Sequence, residues 1–325
     1  MTALALIISL FVLTFILIKV SDHVVIAIRH LSRLTHIGTF VLSAIVLALG
    51  TSLPELFVST TSALRGVSNL SLGVIVGSNI ANIALITGVA TLAVGKIKVH
   101  GEFVKHDLWV ALAAGVLPIL LIVDGRLSRV DGFILLAVYA AYATSFLKIR
   151  FWEIKESHKK ESFILRFWRQ LSHIESTKTK EYGRLFVSIA ALLFIADLIV
   201  KAATSLATIV GVPVFLIGII FIAIGTSLPE LAFSLRAVED KEPTMFFGNL
   251  LGSTIINSTL IVGLAAVISP IQAVIFSEYL VSGIAFVVVF LVFWYFIRSK
   301  YRLDKWEAVV LLGLYLLFVF LEFVL

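Results

Sequence analysis

Two glutamates set inside apolar stretches are the residues of this chain best placed to do chemistry. The string GTSLPEL occurs at Gly50 to Leu56 and again at Gly225 to Leu231, setting Glu55 and Glu230 beside Pro54 and Pro229. An ionisable side chain at membrane depth costs about 2.5 to 3.5 kcal/mol on insertion scales, so a carboxylate there needs a cationic partner. Pro54 has no N–H to give the carbonyl of Gly50, and its ring crowds that turn. The helix therefore opens where Gly50 tolerates unusual dihedrals, and Pro229 with Gly225 repeats the arrangement. The freed carbonyls of Gly50, Thr51, Gly225 and Thr226 are oxygen ligands, tolerated in lipid only where they line a site.

Downstream of each string, Ser78 and Asn82 are four residues apart and share a helix face, as do Ser253 and Asn257. Two carboxylates, four carbonyls, several hydroxyls and two amides make an all-oxygen set. Such a set suits hard cations such as Ca2+, Mg2+ or Na+ and suits zinc or copper poorly. A kinked helix holding a protonated glutamate for packing is the plainer alternative. Asn79 is replaced by Thr254 in the second copy, which assigns it to packing rather than to the ligand set.

The elements that must position these residues are membrane helices. With 60% hydrophobic residues and 14% charged ones, the 325-residue chain has too little polar surface to cover a soluble globule. Apolar runs able to cross a bilayer fall near 2–20, 37–64, 70–94, 105–123, 130–147, 184–207, 212–237, 245–268, 277–297 and 305–324. Of the Lys and Arg residues in the loops these ten spans define, 22 fall on one side and four on the other: Arg65, Arg126, Arg129 and Lys201. The positive-inside rule then puts both termini outside and the long central loop in the cytoplasm, in a multi-pass protein of the plasma membrane. This placement accounts for the net charge of +6 without a nucleic-acid partner, and the absence of cysteine excludes disulfides and thiolate metal sites. No zinc, serine-histidine or nucleotide-loop motif lies at membrane depth, so the chain is not read as an enzyme.

The chain repeats itself. An offset of 175 carries Asp22 onto Asp197, Gly50–Leu56 onto Gly225–Leu231, and Gly77, Ser78 and Asn82 onto Gly252, Ser253 and Asn257; nine of nineteen positions are identical between 72–90 and 247–265. Five spans per half is an odd number, so the second half enters the membrane upside down. The expected fold is therefore all-α: ten transmembrane helices as two inverted five-helix repeats, 1–147 and 183–325, with broken helices 2, 3, 7 and 8 forming the core. Interrupted helices at matching positions place a transport site at the midplane, between the halves. The linking stretch 148–182 mixes basic and aromatic residues and is read as an amphipathic segment on the anionic inner leaflet. Asp22 and Asp197 are candidates for ion pairing or for gating.

At the paired GTSLPE strings, followed at equal distance by GSNIAN and GSTIIN, the chain resembles the sodium/calcium exchanger branch of the calcium/cation antiporters over nearly its whole length. The resemblance implies that Glu55 and Glu230 bind Ca2+ with the carbonyls of Thr51 and Thr226. It further implies flanking Na+ sites from Ser52, Ser78, Ser227 and Ser253 with carbonyls near Ala48 and Ala223. Spans 1 and 6 would slide across the core, and no cofactor is needed. The chain departs from some members in carrying Asn257 where they have an acid. A site with two negative charges is neutralised by one Ca2+ or two Na+, and a third Na+ is disfavoured by Coulomb repulsion. The expected function is secondary active exchange of Na+ for Ca2+. Proton-coupled divalent exchange on the same fold is the nearest rival, and a passive cation channel is a further one.

Overall fold

The structure is a computed structural model and describes residues 2–35, 50–99, 102–155, 176–272 and 276–324. Its helices group into α1 (Ala3–Thr35), α2 (Leu53–Leu64), α3 (Ser68–Val94), α4 (Glu102–Leu121), α5 (Arg129–Lys155), α6 (Ser176–Val210), α7 (Val214–Glu239), α8 (Pro243–Ile268), α9 (Phe276–Lys300) and α10 (Lys305–Val324). Among the described residues, seven of these carry a stretch long and apolar enough to cross a membrane: α1, α3, α4, α6, α7, α8 and α9. The remaining expected spans correspond to α2, α5 and α10; the first part of span 37–64 lies outside the described residues. Gly95 and Gly211, with φ of 80° and 75°, end α3 and α6 in the left-handed conformation that only glycine adopts cheaply.

Three features differ from expectation. Helix α1 continues to Thr35, and α5 and α6 run into the stretch expected as a loop, to Lys155 and from Ser176. The three added stretches contain no proline and a single glycine, Gly183, which lies within α6, so no proline stops the helix where the apolar run ends. Residues 156–175, the centre of the proposed surface segment, lie outside the described residues. Thirdly, α3 and α8 are not broken. Each passes through a wide π-helical turn, at Ala81–Ile86 and Ile256–Ile261, positions that differ by the same offset of 175.

Burial sorts the helices into centre and periphery. The apolar windows of α3 and α8 are 83% and 78% buried, against 22% for α1. Phe11 and Phe15 on α1, Phe186 and Phe194 on α6, and Leu316 and Phe320 on α10 all face outward. An apolar girdle around polar central helices is the reverse of a soluble fold and fits a lipid surround. Helices α1 and α6 pack along one another and share one apolar cluster that includes Leu10, Leu17, Ile199 and Leu206.

Two short ribbons tie the halves together. Strand β1 (Lys96–Lys98) pairs antiparallel with β4 (Arg302–Asp304), and β2 (Arg126–Leu127) with β3 (Ile271–Gln272). Each ribbon joins the strand after a π-turn helix to the strand before α5 or α10 of the other half. Exchanging the halves converts one ribbon into the other. The pairing also brings the α3–α4 loop beside the α9–α10 loop, and the α4–α5 loop beside the α8–α9 loop.

Close backbone approach holds the centre. A methyl on Gly77 would lie 2.4 Å from the Ile219 carbonyl oxygen and 2.7 Å from the Ala223 side chain, and one on Gly73 would lie 2.3 Å from the Phe215 carbonyl. Small residues let α3 lie against the first part of α7 at this distance. Gly77→Ala must push the two helices apart, with an overpacking cost of about 1–3 kcal/mol. The expected outcome is a thermal midpoint lowered by several degrees, read by a melting curve of the purified protein.

Candidate functional site

The two GTSLPEL strings sit where α2 and α7 are interrupted. Ser52 and Ser227 turn the chain with φ, ψ of −87°, 8° and −83°, 2°, and each helix restarts with proline at its second position. Across the second break the backbone bonds run from Ser227 N–H to the Ala223 carbonyl and from Leu231 N–H to the Ser227 carbonyl. The Gly225 carbonyl, expected to be freed by the break, accepts a backbone N–H there. The pattern Ser-x-x-Glu would close a capping box in a soluble helix. Here Ser52 and Ser227 make no side-chain cap bond, so both hydroxyls stay available, and each glutamate lies in the first turn of a restarting helix. The positive end of the helix dipole favours a carboxylate at that place.

The strings meet. Glu55 and Glu230 are 0% and 1% exposed and close enough to interact electrostatically. Ser78 donates its hydroxyl to Glu55 Oε1 at 3.4 Å and lies 3.5 Å from the Thr226 hydroxyl, so α3 and α7 both reach the first carboxylate. The Thr51 and Ser52 hydroxyls are the polar neighbours of Glu230. Each carboxylate is thus faced by a hydroxyl from the other half's string. Asn82 donates through Nδ2 to Ser253 Oγ at 3.0 Å, joining α3 to α8. Of the sequence-predicted set, Ala48 lies outside the described residues. Ala223 is buried, and its carbonyl already accepts the Ser227 N–H and, at 3.4 Å, the Thr226 hydroxyl.

What remains unpartnered defines the chemistry. Glu55 Oε2, both oxygens of Glu230, Oδ1 of Asn82 and Asn257, and the hydroxyls of Ser52 and Ser227 are buried with no hydrogen-bond partner among the described residues. Buried polar atoms are ordinarily paired, because leaving one unpaired costs about 1–3 kcal/mol. Seven oxygens in the same condition, drawn from four helices, make a donor set suited to a hard cation. Among the described residues no group of three or more His, Cys, Asp and Glu side chains gathers, which leaves this pair of carboxylates without a third acid.

The structure also adds residues. Asn249, one turn before Ser253 on α8, accepts the Thr51 hydroxyl at 3.2 Å. Ser59 and Ser234, one turn after the glutamates, are fully buried with unpartnered hydroxyls. Helical spacing of four from the motif residues was the signal for all three. Asn79 is buried and bonded to Asn257 and Ser258. Asp197 pairs with Arg65 and, at 2.9 Å, with Lys201, tying α6 to the end of α2. Asp22 is exposed. The offset carries Arg65 onto Asp240, so the second half cannot repeat that ion pair.

A multi-pass helical protein that buries paired carboxylates among unpaired oxygens belongs to the class of membrane cation transporters. Comparison with known proteins gives the family. The sequence profile described as "Sodium/calcium exchanger protein" matches residues 5–148 and 180–324. Inner membrane protein YrbG of Escherichia coli K12 is 32% identical over 252 residues, 77% of this chain and 76% of its own length. The sodium/calcium exchanger MaX1 of Methanosarcina acetivorans is 28% identical over 339 residues, covering 94% of this chain and 95% of its own. A solved structure of the sodium-calcium exchanger NCX_Mj, soaked with 2.5 mM Na+ and 0.1 mM Ca2+, superposes with a TM-score of 0.60 at 26% identity, covering 96% of this chain and 97% of its own. The chain belongs to the sodium/calcium exchanger family: it is an integral membrane cation antiporter and not an enzyme.

Proposed function

We propose that this chain exchanges Na+ for Ca2+ across the plasma membrane by alternating access, at a site that Glu55 and Glu230 share midway through the bilayer. The observation that carries the reading is the meeting of two fully buried carboxylates inside a shell of unpaired oxygens. The divalent ion lies between the carboxylates, with the carbonyls of Thr51 and Thr226 as further ligands. Na+ ions occupy flanking positions built from Ser52, Ser78, Ser227, Ser253 and the two amide oxygens of Asn82 and Asn257. The halves 1–147 and 183–325 are inverted relative to one another, both termini lie outside, and the stretch 148–182 faces the cytoplasm. The ribbon pairing supports this arrangement, because it puts together the loops that the basic residues assign to the same side. Helices α1 and α6 move together over the core, as their shared apolar cluster and outward lipid-facing surfaces favour, and the Arg65–Asp197 pair is broken and remade in that movement.

Charge sets the ratio. Two carboxylates are neutralised by one Ca2+ or by two Na+, and leaving a net charge in a partly dehydrated site is unfavourable. The exchange is therefore two Na+ for one Ca2+. Reconstituted vesicles test the coupling ion: Ca2+ uptake follows an imposed Na+ gradient and not an imposed pH gradient. Flux driven only by pH would assign the protein to proton-coupled exchange on the same fold. Sustained single-channel currents would assign it to the passive channels.

A further inference from the structure

Asn257 can serve a cation in only one of its two amide orientations. A primary amide has nearly the same shape when turned over, so packing does not choose between its oxygen and its NH2; hydrogen bonds do. With the oxygen toward the site the residue is a ligand. With the NH2 there it offers positive partial charge and repels the ion.

We propose that Asn79 and Ser258 form a brace that fixes the Asn257 amide with its oxygen free for the cation. This deepens the reading of the paired-carboxylate site and rests on it. Asn257 donates Nδ2 to Asn79 Oδ1 at 3.2 Å, and Asn79 donates its own Nδ2 to Ser258 Oγ at 2.7 Å. All three side chains are 3% exposed or less, and Asn257 Oδ1 is left with no hydrogen-bond partner among the described residues. Ser258 accepts the Asn79 NH2 while the Asn79 oxygen accepts from Asn257, and that second bond holds the Asn257 NH2 away from the free oxygen's position.

The repeat explains why a brace is needed here and not in the other half. Asn82 is oriented directly, by donating Nδ2 to Ser253 Oγ at 3.0 Å. The equivalent bond for Asn257 would go to Ser78. Ser78, however, donates to Glu55 and contacts Thr226. Asn257 therefore turns to Asn79, whose counterpart is Thr254, and Asn79 relies on Ser258, whose counterpart is Ile83. Both members of the brace are absent from the other copy, so the two halves differ at the pair of positions where the geometry requires it. Asn79 and Ser258 are positioning residues that act on the ion through Asn257.

The test follows the thermal midpoint of the purified full-length protein as Ca2+, and separately Na+, is added. Asn79→Ala and Ser258→Ala raise the half-maximal concentration of the stabilising cation roughly 5- to 10-fold, the effect of one misoriented ligand. Asn257→Ala does the same, and adding Asn79→Ala to it changes nothing further, because nothing is left to orient. In an Asn257→Asp background both side-chain oxygens are equivalent, and Ser258→Ala has no effect. Midpoints without cation report folding separately, and Ser258→Ala, which deletes one oxygen, keeps the test open if Asn79→Ala does not fold. Titrations of both variants that match wild type, or losses that add in full to that of Asn257→Ala, would overturn the brace and return the pair to packing. A wild-type protein stabilised by neither cation would overturn the site itself, and the brace with it.

Discussion

Glu55→Gln and Glu230→Gln each reduce Ca2+ exchange by on the order of 10³-fold while leaving the protein inserted and folded. The substitution keeps the shape of the side chain and removes its charge. Two unit charges 4 Å apart attract by about 4 kcal/mol at an effective dielectric constant of 20, and a divalent ion doubles this to about 8. Losing even half of that attraction is a factor of about 10³ in occupancy, at about 1.4 kcal/mol per tenfold. Folding should not suffer, because both carboxylates are buried beside one another and removing one charge relieves their mutual repulsion and its desolvation. Tracer flux into vesicles, alongside a thermal midpoint at or above wild type, checks both halves of the expectation. Near-normal flux in either variant would remove the glutamates from the site.

Asn257→Asp changes the stoichiometry rather than the occupancy. Among the described residues the site gathers two acidic side chains and no third. Adding a carboxylate on the α8 face that also carries Ser253 gives three negative charges, which three Na+ neutralise and one Ca2+ does not. At the proposed ratio of two Na+ per Ca2+, wild-type exchange moves no net charge, and its rate is expected to be independent of an imposed membrane potential. The variant exchanges three Na+ per Ca2+, becomes potential-dependent and responds more steeply to Na+ concentration. Measurement of Ca2+ flux at two clamped potentials separates the cases; a potential-independent variant would put Asn257 away from the ions.

Most of the residues that meet at the site were legible because the motif is duplicated at a constant offset and helical spacing of three or four groups its polar positions. Ser59 and Ser234 also obey both rules but were passed over. Glu55, Glu230, Ser78, Ser253, Asn82 and Asn257 all satisfy them. Asn79 does not, and departure from the repeat led to its assignment as packing. The structure gives it two hydrogen bonds across to α8, which internal symmetry cannot reveal because the bonds are the asymmetric part of the site. Asn249 was hidden for the same reason, since its counterpart is Val74. Helix ends were the other weak point. Hydropathy marks where a span leaves the lipid, whereas the helix itself can extend further, as α1 and α5 do to Thr35 and Lys155 and α6 does from Ser176. Helices α3 and α8 were expected to be broken; each instead absorbs its irregularity as one wide π-helical turn, within which no proline lies.

The proposed cage of two carboxylates around a divalent ion is open to direct observation. Crystals of the protein soaked in Sr2+, a Ca2+ substitute with a strong anomalous signal, should show one anomalous peak between Glu55 and Glu230, within about 2.3–2.6 Å of oxygens from both side chains, the range for Ca2+ coordination. Glu55→Gln should abolish the peak. A peak elsewhere in the membrane region, or one that touches neither carboxylate, would contradict the account.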